Sequence, residues 1–172
     1  TSAAKNIVKC IERAGLVMEN MILEPIASAT AVLEEDEKEA GVAIVDIGGG
    51  TTDVAVFYDK IIYHTAVIPF GGNIITEDIR QGCSIIKKHA EEIKVKFGSA
   101  VASESREDEV VSIPGLRGRE PREISFKNLA NIIQARLEEI FDLVNFEIQK
   151  VNTEHKLIAG IVLTGGGANM KH

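Results

Sequence analysis

The stretch that most limits what this chain can become is AIVDIGGGTTDVAVF, residues 43–57. Two Val- and Ile-rich runs enclose three consecutive glycines and two threonines, with Asp46 and Asp53 on either side. Such runs favour strands, and the short polar insert between them predicts a hairpin. A third β-rich run follows across Asp59-Lys60, so 42–47, 53–58 and 61–68 read as an antiparallel meander rather than a βαβ unit. Glycine lets a backbone approach a ligand closely, and successive free N–H groups make a cavity for anions. Gly48, Gly49 and Gly50 supply that backbone, and Thr51 and Thr52 add hydroxyl donors. A carboxylate repels a phosphate, so an acid beside one fits a Mg²⁺ lying between them, usually through water. The same residues also read as a tight hairpin with polar ends, and this stretch alone leaves both readings open.

A second glycine cluster closes the chain in GIVLTGGGANM. Gly165, Gly166 and Gly167 follow an apolar strand and precede an expected helix, an arrangement that suits a phosphate or a sugar-purine face. Neither cluster has the spacing of a GxGxxG or a GxxxxGK[ST] loop. Two glycine turns, each after an apolar strand, say more than one.

Between them the chain alternates. AAKNIVKCIERA reads as a helix with Ala4, Ile7, Val8 and Ile11 on one face and Gly15 at its end. NMILEP reads as a short strand, IASATAVLEE as a helix opened by Pro25, and EEDEKE as a charged loop. NIITEDIRQGC and SIIKKHAEEIKVKFG read as two helices. EVVSIPGLRGREPREIS reads as two short β runs around a solvated loop, and residues 126–152 as a helix of about seven turns with Leu129, Ile133, Ile140, Val144 and Ile148 inward. A length of 172 residues can bury a sizeable core. The net charge of −7 argues against nucleic acid as a partner, and no apolar run is long enough to span a membrane. Cys10 and Cys83 form no CxxC and read as free core thiols; the four histidines lack metal-ligand spacing.

Four segments, in order, resemble motifs of the actin superfamily. EPIASATAVL is similar to the stretch joining its two halves, VDIGGGTTDVAVF to its second phosphate motif, AEEIKVKFG to the segment reaching ribose and adenine, and GIVLTGGGA to its adenosine motif. Within that superfamily AKNIVKCIERAGL, HTAVIPFGGNIITEDI and VSIPGLRGREPREIS resemble the FtsA family of bacterial cell-division proteins, and the likeness covers nearly the whole chain. The resemblance implies an α/β, actin-like (ribonuclease H-like) subdomain 2A, with a mixed sheet and flanking helices, carrying an inserted α+β subdomain 2B. Residues 1–73 and 156–172 are expected in 2A and 74–155 in 2B.

The resemblance also implies roles. Asp46 would stand near Mg²⁺; Gly48, Gly49, Gly50, Thr51 and Thr52 would hold the β- and γ-phosphates of ATP; Glu91 and Lys94, three apart on one helix, would face ribose or base; and Gly165, Gly166 and Gly167 would lie along the adenosine and α-phosphate. Glu24 matches an acid that positions the attacking water, or is a strand-end acid before a proline. Asn128, Arg136 and Glu139 match a site for the C-terminal tail of FtsZ, the tubulin-like division-ring protein; without the family they read as a solvated helix face. The family further implies filaments of the full-length protein, contacts with other divisome proteins, at most weak ATP hydrolysis, and a cytoplasmic position on the inner membrane face, held by a C-terminal helix outside this sequence. The first phosphate motif is also outside it, so the chain is expected to be a fragment that binds ATP weakly or not at all. A small-molecule kinase of the same superfamily and a shape-determining bacterial actin are the alternatives.

Overall fold

A computed structural model describes residues 2–115, 120–151 and 156–172. The helices are α1 (Ser2–Arg13), α2 (Glu24–Val32), α3 (Glu35–Ala40), α4 (Gly72–Gly82), α5 (Lys87–Phe97) and α6 (Phe126–Gln149). The strands are β1 (Val42–Ile47), β2 (Thr52–Tyr58), β3 (Ile61–Ile68), β4 (Val110–Ile113), β5 (Arg122–Ser125) and β6 (Gly160–Thr164).

The meander forms as its sequence requires. β1 and β2 pair antiparallel from Val42↔Phe57 to Ile47↔Thr52, and β2 pairs antiparallel with β3. Asp59 and Lys60 turn that second hairpin with φ of 50° and 63°, the left-handed pair of a tight two-residue turn. β6 then adds beside β1 in parallel, so the sheet order is β3-β2-β1-β6 and the sheet is mixed. β1 and β2 are buried on both faces, which explains their continuous apolar runs.

Helices cover both faces. On one, Ala29 of α2 and Leu33 pack on Val42, Ile44, Ala55 and Phe57. On the other, Ile140, Val144 and Ile148 of α6 pack on Ala43, Val45, Ile47, Val54 and Val56. The N-terminal half of α6 belongs to another core, where Leu129, Ile133 and Leu137 meet Ile75 and Ile79 of α4, Ala90 and Ile93 of α5, and Ile113 and Ile124 of the β4-β5 hairpin. Each Val, Leu, Ile or Phe among them contributes about 1.5–3 kcal/mol by leaving water. Ser125 caps α6 by accepting from the Asn128 N–H.

Three local expectations change. EEDEKE is largely helical, not a loop: Glu34 and Glu37 form a capping box at the start of α3, and its end bonds to the Asp59-Lys60 turn. NMILEP forms no strand: residues 20–23 carry no ladder among the described residues, and Glu24 and Pro25 already belong to α2. Cys83 is buried as expected, but Cys10 is exposed, since α1 buries no residue. The GLRGRE loop and His155 fall largely or wholly outside the described residues. His64, His89 and His172 bond Glu147, Glu92 and Ser99, and no group of three or more metal-binding side chains occurs among the described residues.

Candidate functional site

The β1-β2 turn is pinned by the start of α4, just beyond β3. Gly48 donates to the Thr51 carbonyl at 2.9 Å, closing the tip. The Gly72 and Asn73 N–H groups, in the first turn of α4, donate to the carbonyls of Gly48 and Gly49 at 2.9 and 2.7 Å. A Cβ on Gly71 would stand 2.5 Å from the Gly48 oxygen and 2.9 Å from that of Thr51, so only glycine allows this approach. The Gly49, Gly50 and Thr51 N–H groups donate to no acceptor among the described residues. They form the free amide set that an anion needs.

The two threonine hydroxyls are engaged elsewhere. Thr51 Oγ1 donates to Asp53 at 3.0 Å, and the fully buried Thr52 donates to the Phe70 carbonyl at 2.8 Å. Asp53 thereby shapes the turn. Asp46, its cross-strand partner, accepts from Ser28 of α2 at 2.7 Å. Asp46 also touches the second glycine turn: a Cβ on Gly165 would lie 2.4 Å from its Oδ1. Gly165 has φ of 83° and leads into a 3₁₀ turn, Gly166–Asn169. Glu24 opens α2 one turn ahead of Ser28, on the same side of the helix, and is exposed.

An open cleft of about 330 Å³ runs between these parts. Gly48 and Gly49, Glu91 and Lys94 of α5, and Gly166 and Gly167 all line it. Six residues singled out from three separate motifs therefore share one cavity. Asp46, Gly50, Thr51, Thr52 and Gly165 stand beside it without lining it, and Glu24 is not part of it. A single aspartate fits Mg²⁺, which takes one or two carboxylates and completes its shell with water and phosphate oxygens.

The α5 wall is tightly bonded. Lys94, buried, donates to Gly72 O and Thr76 Oγ1, each at 2.8 Å, and pairs with Glu91 Oε2 at 2.8 Å. Thr76 Oγ1 also donates to that carboxylate. Burial pushes the Glu91 carboxyl up, but the bonds from Lys94 and Thr76 outweigh it and hold it below its ordinary value. Asn73, Thr76 and the Gly71-Gly72 pair escaped the sequence reading. The signal was two glycines directly ahead of a helix, which often marks a close backbone approach.

On α6, Asn128 and Glu139 are exposed and Arg136 is half-buried. Arg136 is not a free cation: Nε donates to Asp78 at 2.6 Å, Nη2 to the same carboxylate at 3.1 Å, and Nη1 to Glu139. Its guanidinium lies 5.8 Å from the Phe70 ring centre.

The four-stranded mixed sheet with helices on both faces, and a cleft between a glycine hairpin and a second glycine turn, define an actin-like protein. Solved structures agree: MreB 5 of Spiroplasma citri bound to AMPPNP matches with a TM-score of 0.81 at 27% identity, over 99% of this chain and 55% of that one. A MamK filament matches with a TM-score of 0.74 over 99% of this chain and 53% of that one, at 16% identity. The family model for "Cell division protein FtsA" matches residues 43–172, and the FtsA of Pseudomonas aeruginosa is 45% identical over 170 residues. The chain belongs to the FtsA family. The match covers 99% of this chain but 41% of that relative. Among the described residues no helix is long and apolar enough to cross a membrane.

Proposed function

We propose that this chain is one wall of an ATP cleft in an actin-like cell-division protein. The observation that carries the reading is the convergence of Gly48 and Gly49, Glu91 and Lys94, and Gly166 and Gly167 on one cavity. The free amides of Gly49, Gly50 and Thr51 take the β- and γ-phosphates, and Asp46 holds Mg²⁺ through water. The Gly165–Gly167 turn follows the adenosine and α-phosphate, and Glu24 is the candidate for orienting an attacking water. That an MreB 5 neighbour is solved with AMPPNP supports a nucleotide as ligand. Only one wall is supplied here, so calorimetry with Mg·ATP is expected to find affinity weaker than micromolar for this chain and tighter binding for a full-length family chain carrying it. Micromolar affinity of this chain alone overturns the half-site reading. Absence of binding by the full-length chain overturns the nucleotide reading.

Residues 1–73 and 156–172 act as subdomain 2A and 74–155 as 2B on this reading. In the full-length protein, 2B binds the FtsZ C-terminal tail through Asn128, Arg136 and Glu139, and other divisome proteins engage elsewhere. The protein forms actin-like filaments, as its MamK neighbour does, and lies on the inner membrane face through a helix outside this sequence. A pull-down with the tail peptide tests the 2B site. Arg136→Glu is expected to abolish capture while the far-UV spectrum stays native; because Asp78 and Glu139 already face that position, a thermal melt accompanies the assay. Unchanged capture removes Arg136 from the site.

A further inference from the structure

We propose that Thr76 is the positioning residue for the sugar end of the cleft, fixing Glu91 as the group that meets the nucleotide hydroxyls; this deepens the ATP reading and rests on it. Thr76 lies on α4 and is 1% exposed. Its Oγ1 accepts from Lys94 and has one proton to give. Two acceptors compete for that proton, Gly72 O at 3.0 Å and the nearer Glu91 carboxylate, and the charged one is the stronger.

Two α5 residues meet Thr76 Oγ1, and Glu91 is the one left with an unbonded acceptor oxygen. An ammonium carries three N–H groups, and Lys94 faces Gly72 O, Thr76 Oγ1 and Glu91 Oε2, each at 2.8 Å. Thr76 Oγ1 and Glu91 Oε2 lie too close together to take separate N–H groups, so they share one. Glu91 lines the cleft, its side chain is 48% exposed, and its Oε1 has no bond among the described residues. A carboxylate oxygen accepts from the 2′- or 3′-hydroxyl of a ribose. Thr76, with its one proton committed, acts through Glu91: together with Lys94 it fixes the carboxylate's rotamer and keeps it ionised.

The same residues tie the sugar end to the phosphate end. Gly72 takes the Lys94 bond on its carbonyl and gives its N–H to Gly48 of the hairpin tip. Loss of the Thr76 hydroxyl leaves Lys94 short of one acceptor in a buried position and frees the Glu91 side chain to turn outward.

The test titrates ATP and 2′-deoxy-ATP into a full-length family chain carrying this segment, as wild type, Thr76→Ser and Thr76→Val, each checked by a thermal melt without nucleotide. The wild type is expected to prefer ATP. Thr76→Ser keeps both affinity and preference, while Thr76→Val lowers ATP affinity about tenfold, the equivalent of one lost charge-assisted bond, and erases the preference. Should the valine chain not fold, Thr76→Ala removes the same hydroxyl and carries the same expectation. A hydroxyl-free variant with wild-type affinity and preference overturns the proposal, as does a serine variant as impaired as the valine one. A wild type that binds neither nucleotide overturns the ATP reading and this role with it, and the wild-type arm alone distinguishes that outcome.

Discussion

Gly72 donates its N–H to the Gly48 carbonyl at 2.9 Å, so the first turn of α4 and the tip of the β1-β2 hairpin form one piece. The contact depends on the missing side chain next door. At Gly71 an added Cβ meets three backbone oxygens, at 2.5, 2.9 and 3.0 Å, and none can swing aside as a flexible side chain can. Gly71→Ala is therefore expected to destabilise the fold by about 1–3 kcal/mol, as overpacking does. Gly50→Ala, with open space around it, is expected to change stability little. Urea unfolding of the two variants in parallel checks the pair, and equal midpoints would refute the contact argument.

Thr52 is the other anchor of that piece. Its hydroxyl is fully buried and satisfies the Phe70 carbonyl at 2.8 Å. Thr52→Val keeps the shape and leaves that carbonyl without this donor, which costs about 1–3 kcal/mol. A lowered urea midpoint with an unchanged slope is the expected result. Any loss of nucleotide affinity in the same variant would come through the displaced hairpin, because the hydroxyl already has an intramolecular partner.

The Glu91 pair sets a pH dependence. Its folded-state carboxyl lies below the ordinary value, with burial opposing and the bonds from Lys94 and Thr76 prevailing. A depressed carboxyl stabilises the fold fully above the unfolded value, about pH 4.3, and loses that contribution as pH falls through the folded one. Glu91→Gln should flatten this part of the acid limb in a series of urea melts between neutral pH and about pH 3. An identical acid limb in both chains would show that the pair adds nothing to stability.

The thiols should separate cleanly. Cys83 sits in the α4-α5-α6 core, and burial pushes its pKa up, whereas Cys10 lies exposed on α1. A maleimide reagent at neutral pH is expected to modify Cys10 in the native chain and both thiols in denaturant. Native modification of both would mean that the core opens on the reagent's timescale.

The parts legible in the sequence were those whose pattern is local. The Val- and Ile-rich runs of β1, β2 and β3 and the Leu129-to-Ile148 periodicity of α6 mark their elements without reference to anything distant. α3 was hidden because EDEKEA has no apolar repeat; its cue was the Glu34–Glu37 capping box, with glutamate where serine or threonine is usual. NMILEP misled for the opposite reason, since an apolar run proposes a strand but cannot supply its partner. In the site, the glycine clusters and the Glu91–Lys94 spacing were readable. Thr76 was not, because its importance lies in reaching 15 and 18 residues along the chain to a helix packed against its own.

Helix α6 has one further consequence. Its 24 residues make a rod about 36 Å long at 1.5 Å per residue. One half is set in the core with α4 and α5, the other against the main sheet. Nothing in it interrupts the bonding, so it has no hinge. It carries Leu129 and Ile133 in the first core and Val144 and Ile148 in the second on one unbroken rod. In mechanical terms α6 is a splint: the α4-α5 core and the sheet that carries the glycine hairpin share one beam.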